Sequence, residues 1–123
     1  MGTRSNVYVE TEPGTYLGTY CHYDGYPDHM FPTLQAIDND TLLSHILVGA
    51  PRGGLRILHQ NTEDPAYLTE YLDDTVPCVL SNPSEGEYGP DYVYIKCLDG
   101  SVKWRGAYDE AAYGWKTELP ENQ

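Results

Sequence analysis

Residues 92–105 constrain the fold of this chain more than any other stretch. Tyr92-Val93-Tyr94-Ile95-Lys96-Cys97-Leu98 is rich in β-branched and aromatic residues. Asp99-Gly100 follows, and then the alternating run Ser101-Val102-Lys103-Trp104-Arg105. Two strand-like runs joined by Asp-Gly predict a β-hairpin with a type I′ turn. Lys96, Lys103 and Arg105 read as sheet-face charges that discourage edge pairing. A chain committed to such a hairpin needs further strands and a covering layer to bury its apolar face.

The N-terminus offers the further strands. Val7 and Val9 alternate with Tyr8 and Glu10, Glu12-Pro13-Gly14 reads as a turn, and Thr15 to Cys21 alternates again. This predicts a second, N-terminal hairpin, with Gly18 marking a bulge or a close backbone approach. The covering layer comes from the middle of the chain. Phe31, Leu34 and Ile37 are spaced as in a short helix, with Pro32 in its first turn. Asp40 is placed to cap a second helix over Leu42, Leu43, Ile46 and Leu47, ended by Gly49 and Pro51. Leu55–His59 reads equally as a strand or a helical turn. A third helix is predicted over Pro65–Leu72, and Tyr113 and Trp115 are expected to pack back on the sheet. The fold class is therefore α+β. An antiparallel sheet is built from an N-terminal and a C-terminal hairpin, with two or three short helices on one face.

Length and composition bound the rest. At 123 residues the whole chain, 1–123, is one domain. Hydrophobic residues make up 40%, and 12 tyrosines are among them. The core must therefore use tyrosine rings, and each buried hydroxyl needs a partner. Nineteen acids against seven bases give a formal charge of -12. From Asn61 to Asp91 there are eight acids and no Lys or Arg. Such a chain is not built to grip nucleic-acid phosphates directly. It is a well-solvated surface or one shaped for a basic partner. Cys21, Cys78 and Cys97 are an odd number without a CxxC pair, and the N-terminus runs straight into a strand pattern. Reduced thiols in the cytoplasm of a host cell are the expectation, with no membrane association.

Groups capable of chemistry gather in Gly18–Pro32. This stretch holds Cys21, His22, Asp24, Asp28 and His29 among three tyrosines. His22, Asp24 and His29, with Cys21 or Asp28, would be acceptable zinc ligands by type. Their spacing matches no standard structural site, and neither metal nor other cofactor is expected. A His22–Asp24 pair could support acid–base work. No nucleophile motif accompanies it, and adjacent Cys21 and His22 on a strand point to opposite faces. A structural turn is the simpler reading, since Asp24-Gly25 and Pro27 are turn residues. A recognition loop is the alternative. In that reading His22, Tyr23, Asp24, Tyr26 and His29 surround a small molecule, and Arg52 or Arg56 holds a phosphate.

The run Gly18 to Pro27, GTYCHYDGYP, resembles a signature of many small proteins of tailed bacteriophages, especially those of actinobacteria. In that group a strand reading roughly Y-x-H-[WYS]-D-G-Y-P leads into a helix. SNVYVE near the N-terminus and LLSHILVGAPRGGLRIL are similar to the same group. Tyr23 stands where Trp is frequent there, and the acidic middle is longer. The resemblance implies a phage-encoded accessory protein and carries no agreed activity or catalytic residue. Charge and resemblance together lead to a non-enzymatic protein that binds a basic host protein. A nucleic-acid-binding or defence factor is such a target, CRISPR nucleases included. The acidic surface would comprise Glu63, Asp64, Asp73, Asp74, Glu85 and Glu87. The alternatives are a binder of a small molecule or nucleotide signal, and a small metal-dependent or acid–base enzyme.

Overall fold

The computed structural model describes residues 3–58, 70–72, 76–81, 83, 91–106 and 115–117. In chain order these form β1 (Ser5–Glu12), β2 (Thr15–Cys21), α1 (Pro27–Ala36), α2 (Asn39–Gly49), β3 (Leu55–Ile57), β4 (Glu70–Tyr71), β5 (Tyr92–Lys96) and β6 (Val102–Gly106). The strands make one six-stranded sheet in the order β4-β3-β2-β1-β5-β6. The architecture is α+β. None of the described helices is long and apolar enough to cross a membrane.

The sheet is mixed, which corrects the antiparallel expectation. β1 pairs antiparallel with β2, and β5 with β6. β1 and β5, however, run parallel, with Ser5 beside Tyr92 and Val9 beside Lys96. β2 and β3 are parallel through Cys21 and Leu55. Parallel neighbours need a crossover, and the two helices lie in the one between β2 and β3. They return the chain to the end of the sheet that β2 left, so β3 begins where β2 stops.

Both helices cover one face. Met30, Phe31, Leu34, Leu42 and Ile46 pack with Val7, Val9, Cys21, Leu55, Tyr94, Val102 and Trp104. On the opposite face Tyr8, Val93 and Ile95 pack with Cys78 and Leu80, and with part-buried Tyr16, Tyr20 and Trp115. A sheet covered on both sides explains why β1 is buried from Ser5 to Val9.

Local chemistry shifts several boundaries. α1 begins at Pro27, where the missing N–H costs nothing, so Pro32 falls inside the helix rather than in its first turn. The cap of α2 is Asp38, not Asp40: its carboxylate accepts from the Thr41 N–H at 2.7 Å. Leu55–Ile57 is a strand. Glu70–Tyr71 is also a strand, so the third helix expected over 65–72 does not hold at its C-terminal end. The turn at Asp99-Gly100 is not type I′. Only Asp24 among the described non-glycine residues has positive φ, whereas Gly100 has φ 88°. Gly100 N–H bonds to Cys97 C=O and Cys97 N–H to Ser101 C=O, which makes a three-residue loop with a glycine bulge. Asp99 closes that turn by accepting from the Ser101 N–H and hydroxyl. Lys96 does not guard an edge. It is buried, and its Nζ donates to the Gly100 C=O at 3.0 Å.

Gly18 is a close approach, as its place in the strand predicts. It faces Tyr8 across the β1–β2 ladder. A Cβ there would enter the Tyr8 ring and come 2.6 Å from the Val7 carbonyl oxygen. Both partners lie in the middle of the sheet and have no room to retreat. Gly18→Ala is therefore expected to destabilise the fold by about 2 kcal/mol, the usual cost of overpacking. Urea unfolding of the variant beside wild type measures this. An unchanged midpoint would mean that Tyr8 is not fixed against the glycine.

Candidate functional site

The segment from His22 to Tyr26 leaves the end of β2 and enters α1. The backbone pins it on both sides. His22 N–H donates to the Leu55 C=O and Tyr23 N–H to the Arg56 C=O, which extends the pairing with β3. Gly25 N–H donates to the Thr3 C=O at 2.9 Å. The Tyr94 hydroxyl, buried under the sheet, donates to the Gly25 C=O at 2.6 Å. Asp24 makes the reversal with φ 56°, a conformation Asp tolerates better than most residues. Gly25 is obligatory for a different reason: a Cβ would lie 2.7 Å from the Ser5 side chain.

The groups with chemical potential mostly face inward. Cys21 is fully buried, and desolvation pushes its thiol up to about 12. A thiol held neutral in this way is a poor nucleophile. His29 Nε2–H donates to the Leu58 C=O at 2.8 Å. The Tyr20 hydroxyl lies 2.6 Å from His22 Nδ1. Burial is the main cause that raises the Tyr20 phenol above its ordinary range. The phenol thus stays protonated, and the hydrogen bond between its hydroxyl and Nδ1 fixes the orientation of the His22 ring. Tyr23 stands edge-on to His22, with centroids 4.5 Å apart. Tyr23 and Tyr26 are 42% and 40% exposed, and Asp28 in the first turn of α1 is exposed as well.

The structure divides the seven loop and arginine positions singled out in the sequence. His22, Tyr23 and Arg56 come together through the β2–β3 pairing. Tyr26 and His29 are neighbours one helical turn on, with ring centroids 6.0 Å apart. Arg52 belongs elsewhere: its guanidinium stacks over Tyr71 at 5.2 Å. Among the described residues no three His, Cys, Asp or Glu side chains are arranged to hold a metal ion. The six acidic positions, Glu63, Asp64, Asp73, Asp74, Glu85 and Glu87, lie outside the described residues, as does Tyr113. The sequence reading passed over Arg4 and Tyr20. Tyr20 is two residues before His22 and bonds to its ring, whereas Arg4 comes beside His22 only through the β1–β2 register.

A second polar cluster joins α2 to the edge strand β4. His45 Nδ1 meets the Tyr71 hydroxyl at 3.1 Å, while Nε2 is buried with no hydrogen-bond partner among the described residues. Desolvation lowers the His45 pKa below 6.5. The unfolded chain then binds this proton more readily than the folded one. The stabilisation from neutral His45 is complete above 6.5 and is lost as pH falls from there through the lower folded value.

Two measurements check this geometry. Tyr94→Phe leaves the Gly25 carbonyl without its buried donor, so a loss of about 1–2 kcal/mol is expected. The variant should also let a thiol reagent reach Cys21 faster than in wild type; equal labelling rates would show that Tyr94 does not anchor the loop. In urea titrations, stability should drop as pH falls below about 6.5, and His45→Asn should flatten that slope. A slope unchanged by the substitution would assign the pH dependence to other groups.

No protein-family model, curated protein or solved structure matches this chain.

Proposed function

We propose that this is a non-enzymatic binding protein, phage-encoded, that docks on a basic surface of a host protein. The observation that carries the reading is the charge. The chain holds -12 overall, and the stretch from Asn61 to Asp91 has eight acids and no base. Such a surface accelerates encounter with a cationic partner and rejects acidic ones. The partner class that fits is a protein whose own groove is basic because it holds nucleic acid. Replication and defence factors are of this kind, CRISPR nucleases among them.

The described loop supports binding over catalysis. Cys21 and His29 are engaged in holding the loop and its helix, and the thiol is kept neutral. What the loop turns outward is Tyr23, Tyr26 and Asp28. Exposed tyrosines on a pinned backbone lose little entropy when a partner covers them, and they accept cationic side chains on their faces.

Affinity capture from host lysate, followed by measurement with the purified partner, tests the reading. Glu63, Asp64, Asp73, Asp74, Glu85 and Glu87 are changed together to Lys. Capture of a basic protein should be lost, and its steep salt dependence with it, because exposed charges act over a Debye length of about 8 Å in physiological salt. Charge substitutions that disturb neither core nor cap shift stability by only about 0.5 kcal/mol each, and circular dichroism of the variant checks that it stays folded. If the charge-reversed protein binds as wild type does, the acidic-surface reading is wrong.

A further inference from the structure

Two of the four arginines in this acidic chain are drawn to one row of the sheet. Ser5 pairs with Cys21 in the antiparallel β1–β2 ladder, which sets Arg4 opposite His22 one step further out. Cys21 pairs with Leu55 in the parallel β2–β3 ladder, and His22 N–H donates to the Leu55 C=O, setting the Arg56 backbone beside His22. Cys21 and Leu55 belong to the core on the helix side. His22 meets Tyr20 on the other face of the sheet and Arg4 is close enough to act on the same phenol, while Arg56, next to Leu55 within β3, alternates to that face. Strands lie about 4.8 Å apart, so the two arginine backbones sit roughly 10 Å from each other with His22 between them.

The row is poised for a ligand. Arg4 and Arg56 are exposed, and among the described residues neither guanidinium is engaged in a hydrogen bond or ion pair. The Arg4 main chain is held in place: its N–H donates to Asp91 Oδ2 at 3.1 Å, and its C=O accepts from Asp91 N–H at 2.9 Å. Asp91 lies beside Arg4 on the side away from His22 and Arg56. Tyr20, two residues before His22 on the same face, orients the ring through Nδ1. Its own ring packs on the second core. The exposed Tyr23 ring adds an aromatic wall beside His22.

We propose that Arg4, His22 and Arg56 form a binding site for the phosphoryl group of a small molecule. Two guanidinium forks and one imidazole N–H suit an oxyanion with three available oxygens. Repulsion by the net charge disfavours scattered anion binding, so a phosphoryl group needs a local donor row to be held. None of its three residues is among the six acidic positions, so the charge-reversed protein keeps all three.

The test is NMR titration of the full chain with inorganic phosphate, with chloride at matched ionic strength as control. Saturable shifts of the His22 ring and of the Arg4 and Arg56 side-chain resonances are expected with phosphate and not with chloride. Arg4→Gln and Arg56→Gln should each weaken binding about tenfold, the usual worth of a charge-assisted hydrogen bond. Arg56→Lys should retain part of the affinity. Because both side chains are exposed, all three variants should melt as wild type does. Non-saturating shifts, equal shifts with chloride, or full affinity in the Arg4→Gln/Arg56→Gln double variant would overturn the site. Adenosine monophosphate then identifies the source of the phosphoryl group. Tighter binding than phosphate, with the difference erased by Tyr23→Ala, assigns a nucleotide-like ester. Equal binding assigns the phosphoryl group alone.

Discussion

The structure is registered on one strand. β1 pairs antiparallel with β2 on one side and parallel with β5 on the other, and it is buried on both faces. A strand in that position cannot slip, because a one-residue shift would exchange Val7 and Val9 with Tyr8 between two unlike cores. Tyr8 fixes the register a second time by lying against Gly18, the one residue type that leaves space for its ring. From this strand the positions of Arg4, His22 and the whole β2–α1 loop follow.

The loop shows how a set of reactive residue types can be largely structural. Its backbone is tied to Thr3, Leu55 and Arg56, and its carbonyl at Gly25 to Tyr94. Cys21 anchors it as a buried apolar group rather than as a thiolate. Pinning of this kind costs nothing further when a partner or ligand arrives, since the entropy of ordering is already lost on folding. The side chains left outside are therefore presented in fixed positions.

Local signals in the sequence were legible where local physics decides. The strands around Val7 and Val9 and from Tyr92 onward, the apolar spacing of both helices and the special role of Gly18 were readable from alternation, period and glycine sterics. The exact cap of α2 was not, because Asp38 and Asp40 are both capable and only the helix phase chooses between them. The Asp99-Gly100 turn was recognised as a turn, but its type depends on whether the aspartate takes positive φ, which the dipeptide does not dictate.

Sequence by itself determined the α+β class, the acidity and the inventory of groups at Gly18–Pro32. It determined these because they depend on residue type and on neighbours a few positions away. Tertiary structure alone decided that the sheet is mixed, that β5 lies beside β1, and that β3 extends the end of β2. Strand order and direction are set by how two faces of one sheet can be buried at once, which involves residues far apart in the chain. The same long-range pairing sent Arg52 to Tyr71 and brought Arg4 and Arg56 to either side of His22.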